Sequence, residues 1–286
     1  MHNVQYTVVT AKDGAAIPVV TCNLEESGKK GVVLICHGFG EHSGAYLEHS
    51  GRLWQGGYAC VIHDQRGHGK PPEGSKRWHG LIPHYQCFLD DIASVTEFIK
   101  EKAPDTPIAI YGHSMGGNIV ANALLKQPLG QDVPYYCAIL ESPWFELYEP
   151  LSPFMAGLIK VMHKVAPNYR HYRKLKHEDL SGDAEKKQGY SRDPYYHGFI
   201  SMRMITGIQD GCAFALENAD KLPIKTYLSY ADDELVVSRQ AILDFAAKAG
   251  EKVTLKEYAS KHAIYNDVDR ESYCLDLIAF LDSNLK

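Results

Sequence analysis

Apolar, often β-branched runs recur along the chain at 32–36, 59–62, 108–111, 138–140 and 226–229, with amphipathic stretches between them. Runs this short, bounded by turn-forming residues, read as buried strands, and the longer periodic stretches read as helices. The pattern predicts helices near 84–102, 116–126, 239–249 and 270–281. Strands alternating with helices imply a mostly parallel sheet with crossover helices, an α/β fold. At the start, 4–10 and 17–22 flank Asp13-Gly14, which predicts an antiparallel hairpin feeding the sheet edge.

From Ser142 to about Gln209 the pattern changes. It holds no convincing strand, several prolines, many tyrosines and histidines, and a basic stretch at 169–176. We read this as a helical cap inserted into the fold, which gives a core at 1–141 and 210–286 and a cap at 142–209. Within the cap, Phe154, Met155, Leu158, Ile159 and Met162 share one helical face, suited to packing on the core or to lining an acyl pocket. Core packing is the ordinary role of such a stripe.

Composition narrows the class of function. With 286 residues, 45% of them hydrophobic and 23% charged, the chain can bury a substantial core. A net charge of -5 removes the broad attraction that nucleic acids and anionic membranes exert on basic proteins, so a small-molecule partner is expected and nucleic acid is not. No apolar stretch reaches spanning length, and residues 1–14 lack the basic and apolar regions of a signal peptide, so neither stable membrane insertion nor a leader is expected. The seven cysteines are odd in number, far apart and set mostly in apolar runs, which fits reduced packing residues and a cytoplasmic protein.

The chemistry centres on Gly112-His113-Ser114-Met115-Gly116. Gly-x-Ser-x-Gly alone is a weak signal, since a glycine-rich turn with a capping serine would match it. Here a strand-like run, 107–111, precedes it and a helix-like run, 117–126, follows. This is the context of a nucleophile elbow, where a tight strand-to-helix turn exposes the serine. A serine hydroxyl is a poor nucleophile at neutral pH and needs an imidazole base, itself oriented by a carboxylate. On this kind of scaffold the order is serine, acid, histidine, with each partner on a loop after a strand.

The acidic loop Ala231-Asp232-Asp233-Glu234 follows the run 225–230, and His262 is the single histidine after it. His262 also follows a strand-like stretch at 253–258 and precedes the C-terminal helix. Spacing leaves Asp232 and Asp233 as alternatives for the acid. The run 32–36 leads into His37-Gly38-Phe39-Gly40, which would place the backbone N–H groups of Phe39 and Met115 around an oxyanion. A purely structural turn would need the same glycines. The histidines show no HExxH or other ligand spacing, so no metal and no cofactor is expected.

Three motifs taken together, His37-Gly-Phe-Gly-Glu-His-Ser-Gly-Ala-Tyr46, Asp64-Gln-Arg-Gly-His-Gly69 and Gly112-His-Ser-Met-Gly-Gly117, resemble the monoacylglycerol lipase and lysophospholipase branch of the α/β-hydrolases. The likeness spans nearly the whole chain, continuing through Ser191-Arg-Asp-Pro194 and Lys261-His-Ala-Ile-Tyr-Asn266. It implies the α/β-hydrolase fold and a triad of Ser114, Asp233 and His262, with Phe39 and Met115 at the oxyanion positions. It also implies a cap that forms an apolar entrance, with transient lipid contact left open. The expected activity is hydrolysis of carboxylic esters, of monoacylglycerol or lysophospholipid type, through an acyl-enzyme. A carboxylesterase for short-chain or aromatic esters would need the same triad with a smaller, more polar pocket. A protein of another class, a catalytically silent binder with this fold, would leave Ser114 inert toward a fluorophosphonate probe.

Overall fold

In a computed structural model of the chain, residues 3–75, 78–126, 133–173 and 176–285 are described. The strands are β1 (Val4–Thr10), β2 (Ala16–Cys22), β3 (Gly31–Cys36), β4 (Tyr58–His63), β5 (Ile108–His113), β6 (Cys137–Glu141), β7 (Arg170–Tyr172), β8 (Phe199–Ser201), β9 (Lys225–Ala231) and β10 (Val253–Tyr258). The helices are α1 (Leu47–Gln55), α2 (Gln86–Lys102), α3 (Met115–Leu125), α4 (Pro153–Val165), α5 (His177–Leu180), α6 (Ala184–Arg192), α7 (Met202–Asn218), α8 (Arg239–Ala249) and α9 (Arg270–Asn284).

The main sheet has the order β1-β2-β4-β3-β5-β6-β9-β10, parallel from β4 to β10 with the antiparallel β1–β2 hairpin at one edge. Along β3, Val32, Leu34 and Cys36 face one apolar cluster with Ile92 of α2, Ile119 of α3 and Phe245 of α8. Val33 and Ile35 face the other, with Leu53 of α1 and Leu277 of α9. Alternate side chains thus enter opposite cores, and a sheet buried on both faces shows the continuous apolar runs seen in the sequence. From β3 the chain moves outward to β4 and then returns to form β5 on the other side of β3. Such a switch point opens a crevice at the carboxyl ends of the two strands, the usual position for a ligand.

The expected insertion contains α4, α5, α6 and the antiparallel β7–β8 pair. The sequence pattern missed β7 and β8, each three residues long, because two or three residues cannot show period-two alternation. The boundary at Gln209 falls within α7, a continuous helix whose Met204, Ile208 and Ala215 join the core. Of the basic stretch 169–176, Lys174 and Leu175 lie outside the described residues.

The α4 stripe does not pack as expected. Ile159 is buried and Met162 partly so, but Phe154 is 78% exposed and Met155 and Leu158 also face outward. Amphipathic spacing marks one apolar face without saying that anything covers it. All seven cysteines are buried and free, as their apolar settings suggested. Among the described residues, no helix is long and apolar enough to cross a membrane.

Candidate active site

Ser114 sits between β5 and α3 with φ 51° and ψ -115°. Non-glycine residues rarely hold positive φ, and the cost is of order 1–3 kcal/mol unless the surroundings enforce it. Here they do. Its N–H donates to the Glu141 carbonyl at 2.9 Å, and its carbonyl accepts from Trp144 and Asn118 at 2.9 and 3.1 Å. The flanking glycines permit the close approach. A Cβ on Gly112 would lie 2.4 Å from the Gly116 carbonyl oxygen, and one on Gly116 would lie 2.0 Å from that of Cys36. The motif therefore has a steric reason in this chain, and Ser114 is placed at the N-terminus of α3, where the helix dipole favours negative charge.

His262 follows β10 and is 2% exposed. Its loop is held from the cap, as its N–H donates to the Asp179 carbonyl at 3.4 Å and Ala263 N–H donates to that of Leu180 at 2.9 Å. The ring joins Ser114, Phe39, Trp144, Leu147 and Val236 in lining a cavity of about 390 Å³, a size usual for small-molecule sites.

The carboxylate that meets His262 is not one of the two expected. His262 Nδ1 lies 3.0 and 2.8 Å from the two carboxylate oxygens of Glu234, which is itself 2% exposed. Glu234 Oε1 also accepts the N–H groups of Val236 and Val237, at 2.9 and 3.2 Å, so the carboxylate is held by its own loop. Asp233, the acid that the resemblance implied, points outward with its side chain 56% exposed and accepts from Lys261 Nζ at 2.6 Å. Asp232 is exposed as well and receives the Ser260 N–H at 3.0 Å. The physical reason lies in where β9 ends. The strand runs through Ala231, Asp232 and Asp233 form the solvent-side turn, and the chain points back inward at Glu234. The signal was present as a third acid in the same loop, and the longer glutamate side chain suits the later position.

Of the two expected oxyanion donors, Phe39 lines the cavity with Ser114, and Met115 follows Ser114 directly as the first residue of α3. The Phe39 loop follows β3, and among the described residues its N–H meets no protein acceptor. Met115 N–H belongs to the first turn of α3, whose N–H groups have no intrahelical acceptor. Phe39 packs edge-on against Trp144, His68 and His197. The cap reaches this loop through the His197 N–H, which donates to the Gly40 carbonyl at 3.0 Å. It also does so through Asp193, which lies 2.8 Å from His42 Nε2. Two of the quoted motif segments, around His42 and around Asp193, thus meet in space.

A further acid was missed. Asp267 Oδ1 accepts the Ser181 hydroxyl and the Gly182 N–H at 2.8 and 2.6 Å, and Oδ2 accepts the Ser260 hydroxyl and the Lys261 N–H at 2.9 and 2.6 Å. Burial raises its pKa, but these donors, Lys261 N–H foremost, outweigh that and hold the carboxyl below its usual range. It clamps the cap segment at 181–183 to the loop that carries His262. Among the described residues no group of His, Cys, Asp and Glu is arranged to hold a metal ion.

The family model described as "Serine aminopeptidase, S33" matches residues 27–269. The chain is similar to a monoacylglycerol lipase of Mycolicibacterium smegmatis, at 27% identity over 266 residues and 91% of each chain. It is similar to Phospholipase YtpA of Bacillus subtilis, at 25% identity over 88% of this chain and 95% of the relative. Among solved structures, a soluble variant of monoglyceride lipase from Saccharomyces cerevisiae superposes with a TM-score of 0.82 at 22% identity, covering 99% of this chain and 95% of that one. A carboxyl esterase from Bacillus coagulans superposes with a TM-score of 0.80 at 20% identity over the whole of both chains. At these identities the structural likeness establishes the α/β-hydrolase fold.

Proposed function

Because the chain belongs to the serine aminopeptidase S33 family of α/β-hydrolases, we propose that it cleaves carboxylic esters with Ser114 as nucleophile, His262 as base and Glu234 as the orienting acid. The observation that carries this reading is that His262, paired with the buried Glu234, lines the same cavity as the strained Ser114. His262 takes the Ser114 proton as the hydroxyl attacks the ester carbonyl and returns it to the leaving alcohol. Glu234, bonded to Nδ1, keeps the other ring nitrogen turned to the serine and stabilises the imidazolium. The N–H groups of Phe39 and Met115 receive the tetrahedral oxyanion. Water, activated by the same imidazole, then releases the acid from the acyl-enzyme.

The substrate we propose is a monoacylglycerol or lysophospholipid type ester. Trp144, Leu147 and Val236 offer an apolar wall for an acyl chain, while Glu149, Arg173 and Lys176 bring charge to the same cavity and suit a polar alcohol. The exposed strip Phe154, Met155, Leu158, Val161 and Val165 on α4 supports transient contact of the cap with the lipid phase that carries such substrates. The charged residues in the cavity also favour a second reading, a short-chain carboxylesterase. Hydrolysis of monoacylglycerols and p-nitrophenyl esters from short to long chains, by wild type and Ser114→Ala, separates them. The proposed function requires a long-chain maximum that disappears in the variant. A short-chain maximum supports the esterase, and no Ser114-dependent turnover refutes both.

A further inference from the structure

At the wall of the site stands a cluster of buried polar groups, with Glu41 and His113 lining the cavity itself, that ester cleavage by Ser114, His262 and Glu234 leaves unused. Glu41, with its side chain 5% exposed, accepts the Gly38 N–H at 2.7 Å and the Tyr46 hydroxyl at 2.6 Å on one oxygen, and the Tyr265 hydroxyl at 3.3 Å on the other. Glu141, fully buried at the end of β6, accepts the Tyr265 N–H at 3.0 Å and the Tyr111 hydroxyl. Between them stands the His113 ring, its Nε2 3.8 Å from Glu41 and its Nδ1 3.6 Å from Glu141.

The connections select a role. Gly38 precedes the Phe39 N–H, His113 precedes Ser114, and Tyr265 lies three residues after His262. The carbonyl of Glu141 also holds the Ser114 N–H. The oxyanion loop and the histidine loop therefore end on two carboxyl groups, and Glu141 also reaches Ser114 through its backbone carbonyl. Burying a carboxyl costs several kcal/mol unless its hydrogen bonds are made, and burial pushes both groups above the usual carboxyl range while pushing His113 below that of imidazole. An apolar pair would fill the same volume without that cost, but would leave the Gly38 and Tyr265 N–H groups without acceptors.

We infer that Glu41 and Glu141 are positioning residues that hold the oxyanion loop and the histidine loop in register with Ser114. This rests on the ester-hydrolase reading. A displacement of about 1 Å at a reacting centre costs on the order of 10²-fold in rate, and loss of one oxyanion donor costs about 10²–10³-fold. Glu41→Leu is therefore expected to lower kcat about 10²-fold with KM changed less than threefold, and to slow fluorophosphonate labelling of Ser114 in parallel.

Glu41→Gln keeps the volume and an acceptor for Gly38 and is expected to restore kcat to within about fivefold of wild type. Glu41→Asp keeps the charge but withdraws the acceptor by one methylene, and should lose about tenfold in kcat while still folding. The Asp variant decides the matter if the Leu variant does not fold. Wild-type kcat in Glu41→Asp, or a lowered Tm with unchanged kcat in Glu41→Leu, overturns the inference while leaving the ester-hydrolase reading intact. A Gln variant as slow as Leu also overturns it, since an acceptor would then be insufficient. A wild-type protein that neither hydrolyses esters nor labels at Ser114 overturns both.

Discussion

Replacing Glu234 by glutamine tests which acid orients the base. The substitution keeps the volume and leaves one oxygen to accept the Val236 and Val237 N–H groups, which lie 2.9 and 3.2 Å away. The new amide must then present either its oxygen or its N–H groups to His262 Nδ1, where both carboxylate oxygens now lie within 3.0 Å. With the oxygen committed to the loop, the amide donates to Nδ1 and forces the tautomer whose other nitrogen carries a proton and cannot accept one from Ser114. Loss of the orienting carboxylate with geometry preserved costs about 10⁴-fold in kcat, or about 5.4 kcal/mol of transition-state stabilisation. Asp233→Asn removes only an exposed ion pair with Lys261, worth about 0–1 kcal/mol of stability, and should leave kcat within twofold. The assay is steady-state ester hydrolysis for wild type and both variants, with active sites titrated by a fluorophosphonate. A 10⁴-fold loss in Asp233→Asn beside a near-normal Glu234→Gln would refute the assignment and restore the acid implied by the family resemblance.

Acid should destabilise the fold through buried histidines: burial lowers the pKa of His49 to about 3 and of His63 to about 4. The unfolded chain, with ordinary imidazoles near 6.5, binds more protons below that pH, so stability is full above it and falls as pH drops, by about 2 kcal/mol for each group at pH 5. Urea midpoints at pH 7.5 and 5 measure this, and a His63→Phe variant should show a shallower slope. Asp267→Asn turns an amide toward N–H donors and should cost about 3 kcal/mol in urea unfolding, with kcat lowered through the His262 loop; unchanged stability would count against the clamp. Gly116→Ala would put a methyl group 2.0 Å from the Cys36 carbonyl oxygen, so the variant should lose both Ser114 labelling and most of its cooperative thermal transition.

What could be read from the sequence followed from period and order. Apolar runs at β3, β5 and β6 are continuous because both faces of the sheet are buried, and such runs need no tertiary information to be seen. Ser114 and His262 were marked by motif and by chain order, and the structure brings both to one cavity. Glu234 was not singled out because three consecutive acids differ only in which way each points, and that depends on the residue at which β9 ends. The α4 stripe failed for a related reason, since periodicity defines a face but not its neighbour. Glu41, Glu141 and Asp267 could not be singled out either. Glu141 and Asp267 owe their meaning to donors far away in sequence, such as Tyr265 for Glu141, 124 residues distant, and Glu41 joins its near neighbours Gly38 and Tyr46 to the distant Tyr265.

These long-range bonds also bear on what the cap does. The His262 loop hangs from the backbone of α5 and from the Asp267 clamp, while the Phe39 loop is tied to the cap at Gly40 and His42. Ser114 is fixed mainly through the core, by Glu141 and α3, with one further bond from Trp144 at the start of the cap. A displacement of α5 or of the segment around His197 would therefore pull more directly on the His262 and Phe39 loops than on Ser114. Glu41 and Glu141 bond into those same two loops, at Gly38 and Tyr265, and on the inference above would oppose such a displacement. On the proposed function, access to the cavity and alignment of the reacting groups would be mechanically connected through these bonds, with Glu41 and Glu141 as their anchors.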